Sequence, residues 1–462
     1  MPTTIKPSKL NIRAYQVGFG DCFLLTFYYP KAKKASDKER HVLIDFGSTG
    51  MPEGTPADQM MRVAEDIKEK CGGEEGKLHV VVATHRHKDH ISGFSTDGDG
   101  TGLVIKGLKP EVVIQPWTED PAARKNATSL RGMGMAPKQM QMQASAAYIS
   151  SLDDMHVVSE VALAEITQMA DPKKFKQTVD QDVSNQVSFL GVDNGLPNAS
   201  AVDNLKTMGK KHHYVNHGYK LNLSTLLPGV NTIVLGPPTI EQHAAIKKQK
   251  SADKDEFWML QAATKAFWGL QAETGEKVKE IIDEESRLFP NAEVFQQLVP
   301  AHNRWFIRQI RAARGDQMLQ LVRILDNAMN NTSVILLFEI GGKKLLFPGD
   351  AQIENWEFAL NDPDDMELLK AVTLYKVGHH GSRNATPKSL WKCFDNKKDE
   401  IGDPKRLRSI VSTMKGKHGS DDRNTEVPRR TLVNALKKYS DYSSTEAAAK
   451  KGDLYEDITI DL

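Results

Sequence analysis

Three histidines and one aspartate are crowded into six positions of the chain, directly after an apolar run. The stretch VVATHRHKDHISGF (81–94) contains His85, His87, Asp89 and His90. Imidazole and carboxylate groups are the ligands expected for Zn²⁺, Mn²⁺ or iron in proteins. A polar loop with solvent-facing histidines is the simpler alternative, but a buried strand that leads directly into H-x-H-x-D-H is a more specific pattern. The spacing therefore predicts ligands for two adjacent metal ions.

The segments around this loop must form the framework that positions it. A helix is predicted over residues 57–71, where apolar residues recur at helical spacing. Short apolar runs bounded by glycine, proline or polar residues predict strands, and Gly341–Gly342 predicts the turn of a hairpin. The predicted strands lie within LNIRAYQVGFGDCFLLTFYY (10–29), HVLIDFG (41–47), LHVVVAT (78–84), GLKPEVVIQPW (107–117), LLPGVNTIVLGPP (226–238), NTSVILLFEIGGKKLLFPGD (331–350), LYKVGHHGS (374–382) and RSIVST (408–413).

Two long segments lack this strand pattern. Residues 118–215 are rich in Met, Gln, Ala and Lys, and residues 240–328 again contain helical runs. We therefore predict a layered α/β core that is interrupted by two helical insertions. The N-terminal half of the core is residues 1–117, the C-terminal half is residues 329–462, and residues 216–239 contribute further core strands.

Composition limits the class of protein. The 462-residue chain has 39% hydrophobic and 26% charged residues, as expected for a soluble globular protein. Its 61 Lys and Arg nearly balance its 60 Asp and Glu, which excludes a global basic field for nucleic acid. Cys22, Cys71 and Cys393 form no Cys-x-x-Cys pair, which favours a reducing compartment. With no signal-peptide core and no run of about 18 apolar residues, we expect a cytoplasmic protein without a membrane span.

Several motifs together resemble one protein family. An apolar strand followed by H-x-H-x-D-H resembles the hallmark of the metallo-β-lactamase superfamily. VLIDFG resembles its early strand ending in Asp-Gly, and LLFPGD resembles its later strand ending in a bridging aspartate. VGFGDCFLL, NNTSVILLF, LLFPGDAQ and KVGHHGS resemble the branch that includes the hydrolase domain of the ComEC DNA-uptake channel and related phosphodiesterases. The similarity runs from about residue 12 to about residue 440, outside the two insertions.

The resemblance implies a four-layer αββα sandwich with two divalent metal ions at one edge of its two sheets. Zn²⁺ is the expected metal, with Mn²⁺ as the alternative. His380 is favoured over His379 as the last ligand because it directly precedes the glycine of its loop, and His379 then faces the substrate. The implied ligands are His85 and His87 for the first ion, Asp89, His90 and His380 or His379 for the second, and Asp350 for both.

One departure from the family pattern concerns the first metal ion. Most members have a histidine in the loop after the strand that corresponds to TIVLGPP, whereas this loop reads Pro237, Pro238, Thr239. His243 and His302 are the nearest candidates to replace it. Otherwise the first ion is weakly held or is completed by water.

The resemblance also implies a metal-dependent hydrolase whose nucleophile is a hydroxide held by both ions, with Asp89 helping to orient it. Such a centre suits a phosphodiester, because both the attacking and the leaving oxygen can be neutralised. It also suits lactones, thioesters and β-lactams. His418 is a candidate proton donor, although it could equally be a surface histidine without a role in catalysis. Candidate substrate contacts are Ser382, Asn384 and Ser420.

Three functions remain open from the sequence. The first is a phosphodiesterase or nuclease acting on DNA or RNA, although a basic helical run such as 302–314 more often marks a solvated face. The second is a hydrolase of a small ester, lactone or phosphoester. The third is an effector or scaffold subunit whose helical insertions dock a protein partner. The sequence does not determine the oligomeric state.

Overall fold

Two mixed β-sheets form the framework of the protein. A computed structural model describes residues 5–121, 199–239, 242–243, 329–382, 385–417 and 426–462, all within one compact unit of the chain. The strands are β1 (Lys9–Tyr15), β2 (Cys22–Tyr28), β3 (Glu39–Phe46), β4 (Val80–Val82), β5 (Val112–Pro116), β6 (Lys211–Val215), β7 (Asn231–Gly236), β8 (Ile335–Ile340), β9 (Lys343–Phe347), β10 (Leu374–Lys376), β11 (Leu407–Val411), β12 (Ser440–Ser444) and β13 (Tyr455–Asp461).

Each sheet joins an antiparallel part to a parallel part. The first sheet has the order β13-β1-β2-β3-β4-β5-β6, antiparallel from β13 to β3 and parallel from β3 to β6. The second has the order β12-β11-β10-β9-β8-β7, antiparallel from β7 to β9 and parallel from β9 to β12. The C-terminal strand β13 returns to the first sheet, which ties the two ends of the chain together.

The described helices connect and cover these strands. None of them offers an apolar stretch that would reach from one face of a bilayer to the other. The α-helices are α1 (Gln59–Lys70), α2 (Lys88–Ile91), α3 (Thr101–Gly107), α4 (Ala199–Thr207), α5 (Ile353–Asn361), α6 (Pro363–Lys370), α7 (Lys388–Cys393), α8 (Arg430–Tyr439) and α9 (Thr445–Lys451). Short 3₁₀ turns occupy Ala35–Asp37, Gly73–Glu75, Ser92–Phe94, Trp117–Glu119 and His379–Gly381.

Alternating side chains of the strands supply separate cores. In β2, Phe23 and Phe27 belong to a core shared by both sheets, and the Phe23 ring lies 6.0 Å from that of Phe347 in an edge-to-face arrangement. The neighbouring Leu24 points to the other face, where it joins α1 and α3. Trp356 of α5 belongs to a third core on the other face of the second sheet. Because strands in this part of the sheets are buried on both faces, they read as apolar runs in the sequence.

Most of the described elements agree with the sequence analysis. The strand and hairpin predictions are confirmed, including the turn at Gly341–Gly342, and the helix predicted over 57–71 spans Gln59–Lys70. The helical insertion predicted over residues 118–215 is wrong at its end, where Lys211–Val215 form a strand. This segment is β6, which pairs in parallel with β5 at the edge of the first sheet. Its polar sequence KHHYV lacks the apolar pattern used to predict strands, because a strand at the edge of a sheet needs little apolar surface. Residues 122–198 and 244–328 lie outside the described part.

Candidate metal centre

The ends of strands from both sheets converge on one place. The loop after β4 carries the histidine cluster, and Asp350 follows β9. His380 follows β10, and Ser412 follows β11. The carboxyl ends of parallel strands form the usual ligand edge of an α/β sheet. Backbone bonds hold the segments together, since Val334 N donates to Thr84 O at 2.9 Å.

Two glycines permit the close approach of these segments. A Cβ on Gly47 would lie 2.4 Å from Lys88 O and 2.5 Å from His90 N, so only glycine lets α2 pack against the end of β3. Gly349 has φ +56°, and a Cβ there would lie 2.8 Å from Thr84 Cβ. The two glycines therefore bring Asp89, His90 and Asp350 within reach of one another.

Four buried side chains from three segments meet at this edge. Asp89, His90, Asp350 and His380, here called the Asp/His cluster, offer ligand atoms that all lie within 4.8 Å of one another. His90 Nε2 lies 3.1 Å from Asp350 Oδ2, and His380 Nε2 lies 2.9 Å from Asp89 Oδ2. Two ligands on a tetrahedral zinc ion are about 3.3 Å apart, given bond lengths of about 2.0–2.1 Å. The Asp/His cluster therefore has the spacing and composition of a metal site.

The hydrogen bonding of the Asp/His cluster supports this interpretation. Asp89 Oδ1, His90 Nε2 and Asp350 Oδ2 are buried and make no hydrogen bond of good geometry. Buried polar atoms without partners are costly, and buried carboxylates are normally paired or bound to a metal. A divalent cation between these atoms would satisfy all three at once. The donor set thus fits a bound metal ion.

The opposite ring nitrogen of His90 is held by a buried carboxylate. His90 Nδ1 lies 2.8 Å from Asp45 Oδ2. Asp45 is itself held by Thr84, whose backbone N and Oγ1 both donate to it at 2.7 Å. A proton on Nδ1 leaves Nε2 as the free lone pair that a metal requires. Asp45 thus orients His90, a role that the sequence analysis did not assign although it noted the strand ending at this residue.

His380 is oriented in the same way and His379 is not. His380 Nδ1 lies 3.0 Å from the carbonyl oxygen of Ser412, which directs Nε2 towards the Asp/His cluster. His379 Nε2 lies 3.9 Å from Asp350 Oδ2, and the His379 side chain is 19% exposed. Both histidines have positive φ, 44° and 52°, a strained conformation that is concentrated at functional sites. The geometry therefore places His380 inside the Asp/His cluster and His379 at its open side.

His85 and His87 form a separate pair beside the Asp/His cluster. His85 Nε2 lies 3.0 Å from His87 Nδ1, close enough for both to bind one ion. The ring centroids of His85 and His90 are 4.2 Å apart, so the His85–His87 pair adjoins the Asp/His cluster. Within the described segments, no group of candidate metal ligands includes a third histidine at this pair.

The two proposed replacements for the missing histidine have different outcomes. The His243 ring packs 5.6 Å from that of Phe358, in a group with His217, and His243 belongs to none of the candidate metal groups among the described residues. His302 lies outside the described residues.

The histidines of this site fall into two kinds by the direction in which their pKa is shifted. Burial lowers the pKa of His87 to about 4 and that of His85 well below its usual value, so both rings are neutral and available to a metal. Burial alone would also lower the pKa of His90, but the surrounding carboxylates, led by Asp350, raise it well above its usual value. Burial also acts to lower the pKa of His380, but the hydrogen bond with Asp89 and the nearby carboxylates raise it. The Asp/His cluster thus attracts positive charge.

A buried ion pair lies directly behind the Asp/His cluster. Lys376 is 2% exposed and pairs with Asp21, and its Nζ lies 4.0 Å from Asp350 Oδ1. Burial would lower the pKa of Lys376, but Asp21 and Asp350 raise it, so the ammonium stays charged. Asp21 Oδ1 also lies 3.7 Å from His380 Nδ1.

The sequence analysis missed the Asp21–Lys376 pair. Both residues lie inside motifs that it quoted, VGFGDCFLL and KVGHHGS, and a lysine at the end of an otherwise apolar strand was the available signal.

Asp21, Asp45 and His90 also lie close enough together to suggest a second metal position. Their contacts favour a supporting role instead, through an ion pair at Asp21 and hydrogen bonds at Asp45. Asp21 is paired with Lys376, and Asp45 accepts two hydrogen bonds from Thr84 and faces His90 Nδ1. With these partners the carboxylates are already compensated, so we assign this group to the support of the Asp/His cluster.

An Arg–Glu pair holds the loop that carries the histidines. Arg86 Nε and Nη2 donate to the two carboxylate oxygens of Glu119, each at 2.8 Å. This bidentate pair is nearly buried and joins the loop after β4 to the turn after β5.

The predicted peripheral residues have different outcomes. Ser382 lies next to the His379–Gly381 turn, and its Oγ is buried without a hydrogen-bond partner. Asn384, His418 and Ser420 fall outside the described residues.

Comparison with protein-family models finds no match to this chain, and comparison with curated proteins finds no similar sequence. The two mixed sheets and the buried histidine and aspartate side chains that can hold a metal ion therefore carry the functional argument.

Proposed function

We propose that this chain is a metal-dependent phosphodiesterase of the metallo-β-lactamase superfamily, acting on a polynucleotide. The observation that carries the proposal is the Asp/His cluster, whose unsatisfied atoms belong to segments that the sequence analysis had selected independently. The arrangement of the cores supports an αββα sandwich, because the two sheets share one core and each packs helices on its other face. Two divalent ions, Zn²⁺ or Mn²⁺, would supply an activated water and neutralise phosphate oxygens.

Three side chains of the site, Asp89, His379 and Ser382, can contact water or substrate. Asp89 contacts His380 through Oδ2 and leaves Oδ1 without a hydrogen bond, so besides binding metal this carboxylate can accept a hydrogen bond from a water molecule and orient it. His379 lies at the open side with its side chain 19% exposed, so its ring can contact a substrate oxygen. The unsatisfied hydroxyl of Ser382 offers a donor to a phosphate.

The test measures metal content and cleavage on the same preparation. We expect bound Zn²⁺ or Mn²⁺ by mass spectrometry, and cleavage of labelled single- or double-stranded oligonucleotides and of bis(p-nitrophenyl) phosphate. Asp89→Ala should lose both activities, while Asp399→Ala, the same change at an exposed position, should keep them.

The outcomes separate the three functions. If the protein cleaves bis(p-nitrophenyl) phosphate but no oligonucleotide, the proposed metal-dependent hydrolysis stands. The proposed polynucleotide substrate is then wrong. Cleavage of lactones or carboxylic esters alone would favour the small-molecule hydrolase. If the metal-loaded protein cleaves no ester and captures one protein partner, the enzymatic function is wrong. The scaffold function is then favoured.

A further inference from the structure

A pocket of about 530 Å³ lies between the segment after β11, the segment before α8, and helices α8 and α9. Its size falls within the range of about 300–1,000 Å³ that is typical of ligand sites. Four basic side chains line it, those of Lys415, Arg430, Lys437 and Lys450. We call it the basic pocket.

The cations of the basic pocket are available to a ligand. All four are exposed, and within the described part of the chain none forms an ion pair. Two carboxylates also line the pocket, but both are already engaged. Glu446 Oε1 accepts a hydrogen bond from the backbone N of Lys415 at 2.6 Å. Glu426 accepts hydrogen bonds from Arg429 Nη1 at 2.7 Å and from Arg430 N at 3.1 Å. The pocket is thus electropositive in a protein whose overall charge is nearly balanced.

One wall of the basic pocket contacts the segment that carries His380 of the Asp/His cluster. Pro428 lines the pocket and packs on Gly381, the residue after His380. Arg429 N donates to Gly381 O at 2.8 Å. On the other side, Lys415 lies three residues beyond Ser412, whose carbonyl oxygen orients His380. The basic pocket and the Asp/His cluster are therefore neighbours, separated by Pro428 and Gly381.

The pocket also contains an aromatic surface. Tyr442 lines it and is partly exposed, and Lys437 Nζ lies 5.5 Å from the centroid of its ring. Aromatic rings beside a basic groove bind single-stranded nucleic acid, because bases stack on the ring while cations contact the phosphates. A duplex hides its base faces and cannot use such a ring.

We propose that the basic pocket binds a single-stranded polynucleotide segment on one side of the scissile phosphodiester. The inference rests on the proposed phosphodiesterase function and adds the site that separates a polynucleotide from a small diester. Several cations spaced along a groove contact successive phosphates, whereas a small diester offers a single phosphate to the metal centre. The pocket thus determines binding of the strand and not the chemistry of the cleaved bond.

The experiment measures binding without cleavage. A fluorescently labelled oligothymidylate is titrated with protein in EDTA, and anisotropy is followed over a range of salt concentrations. The triple variant Arg430→Ala/Lys437→Ala/Lys450→Ala should bind at least about tenfold more weakly, and its slope of log affinity against log salt should be smaller by about 2. The control Lys31→Ala/Lys33→Ala/Lys34→Ala removes the same charge from exposed positions after β2 and should bind like the wild type.

A second measurement separates this inference from the proposed function. With metal added, the triple variant should cleave bis(p-nitrophenyl) phosphate within about twofold of the wild type and cleave the oligonucleotide more slowly, because the substituted residues do not touch the metal centre. If the wild type cleaves no diester but strand binding still depends on the pocket, the phosphodiesterase proposal fails and the binding site stands.

Two results would overturn the inference itself. The first is equal strand binding by the triple variant and its control. The second is oligoglutamate binding in the pocket as tightly as the oligonucleotide, which would indicate an acidic protein partner instead. Because all the substituted side chains are exposed, unfolding does not obscure the result, and an unchanged melting temperature verifies this.

Discussion

Two groups of buried histidines lie in the described part of the first half of the chain, and one of them belongs to the candidate metal centre. In the Asp/His cluster, His90 is surrounded by the carboxylates of Asp350, Asp89 and Asp45. Elsewhere in the first sheet, His41 and His79 are equally buried, and His41 N donates to His79 Nδ1 at 3.1 Å. The nearest carboxylate of this His41–His79 pair is the partly exposed Glu39, 3.9 Å from His41 Nε2.

The difference shows that burial alone does not make a histidine a metal ligand. Burial lowers the pKa of both His41 and His79 to about 3, so this pair stays neutral and serves the packing of the sheet. The same burial is outweighed at His90, where Asp350 and its neighbours raise the pKa well above its usual value. Buried negative charge therefore distinguishes a site that attracts a cation from one that excludes it.

The largest effect is expected for Asp350→Asn, which removes one of the two carboxylates of the Asp/His cluster without changing its shape. Loss of residues that only support a metal ligand typically costs about 10–100-fold, so loss of the shared carboxylate itself should lower activity by at least about 10³-fold. Metal content by mass spectrometry and the rate of diester cleavage measure this. The matched change Asp66→Asn affects a carboxylate bonded to Arg13 and Tyr15 and should leave metal content unchanged. Full metal content in Asp350→Asn would contradict the cluster as the metal site.

An intermediate effect is expected for Asp45→Asn. Asn adopts the positive φ of this position, 55°, so the backbone is kept. Its amide cannot accept both hydrogen bonds from Thr84 and also hold His90 Nδ1, so His90 loses its orientation. We expect metal affinity to fall by about 10–100-fold, measured by competition with a chelator. An unchanged affinity would show that another group orients His90.

The smallest effect is expected for His79→Asn, which tests the neutral pair. The folded pKa of His79, about 3, lies below its ordinary value of 6.5, so the folded state binds fewer protons between these pH values and stability falls as the pH is lowered through them. The Asn side chain keeps an acceptor for His41 N but does not titrate. In metal-free protein, the drop in melting temperature between pH 7 and pH 4.5 should therefore be smaller by about 2–4 °C in the variant. An identical drop in both proteins would mean that His79 is not protected from protonation.

Part of the site was predictable from the sequence. Metal-ligand residue types at short spacing identified the loop containing His85, His87, Asp89 and His90, and apolar strands ending in Asp350 and His380 identified its partners. The structure confirms that these segments meet, with His90 Nε2 3.1 Å from Asp350 Oδ2. Their roles in metal binding and catalysis stay predictions.

Other contacts could not be predicted, because they join residues far apart in the sequence. Nothing near Lys376 indicates that its partner is Asp21, and nothing near Asp45 indicates that it faces His90. The strand β6 was missed because its edge position makes its polar composition acceptable. The basic pocket likewise exists only where the segment after β11 meets α8 and α9.

The sequence by itself determined the alternation of strands and helices and the residue types available for metal chemistry, because both depend on local spacing. Tertiary structure alone decided at which buried histidines the pKa is raised and at which it is lowered. His79 and His90 are both buried imidazoles, yet their pKa values move in opposite directions. The physical reason is that the field at a buried ring is set by carboxylates brought to it from distant segments, at distances that only folding creates.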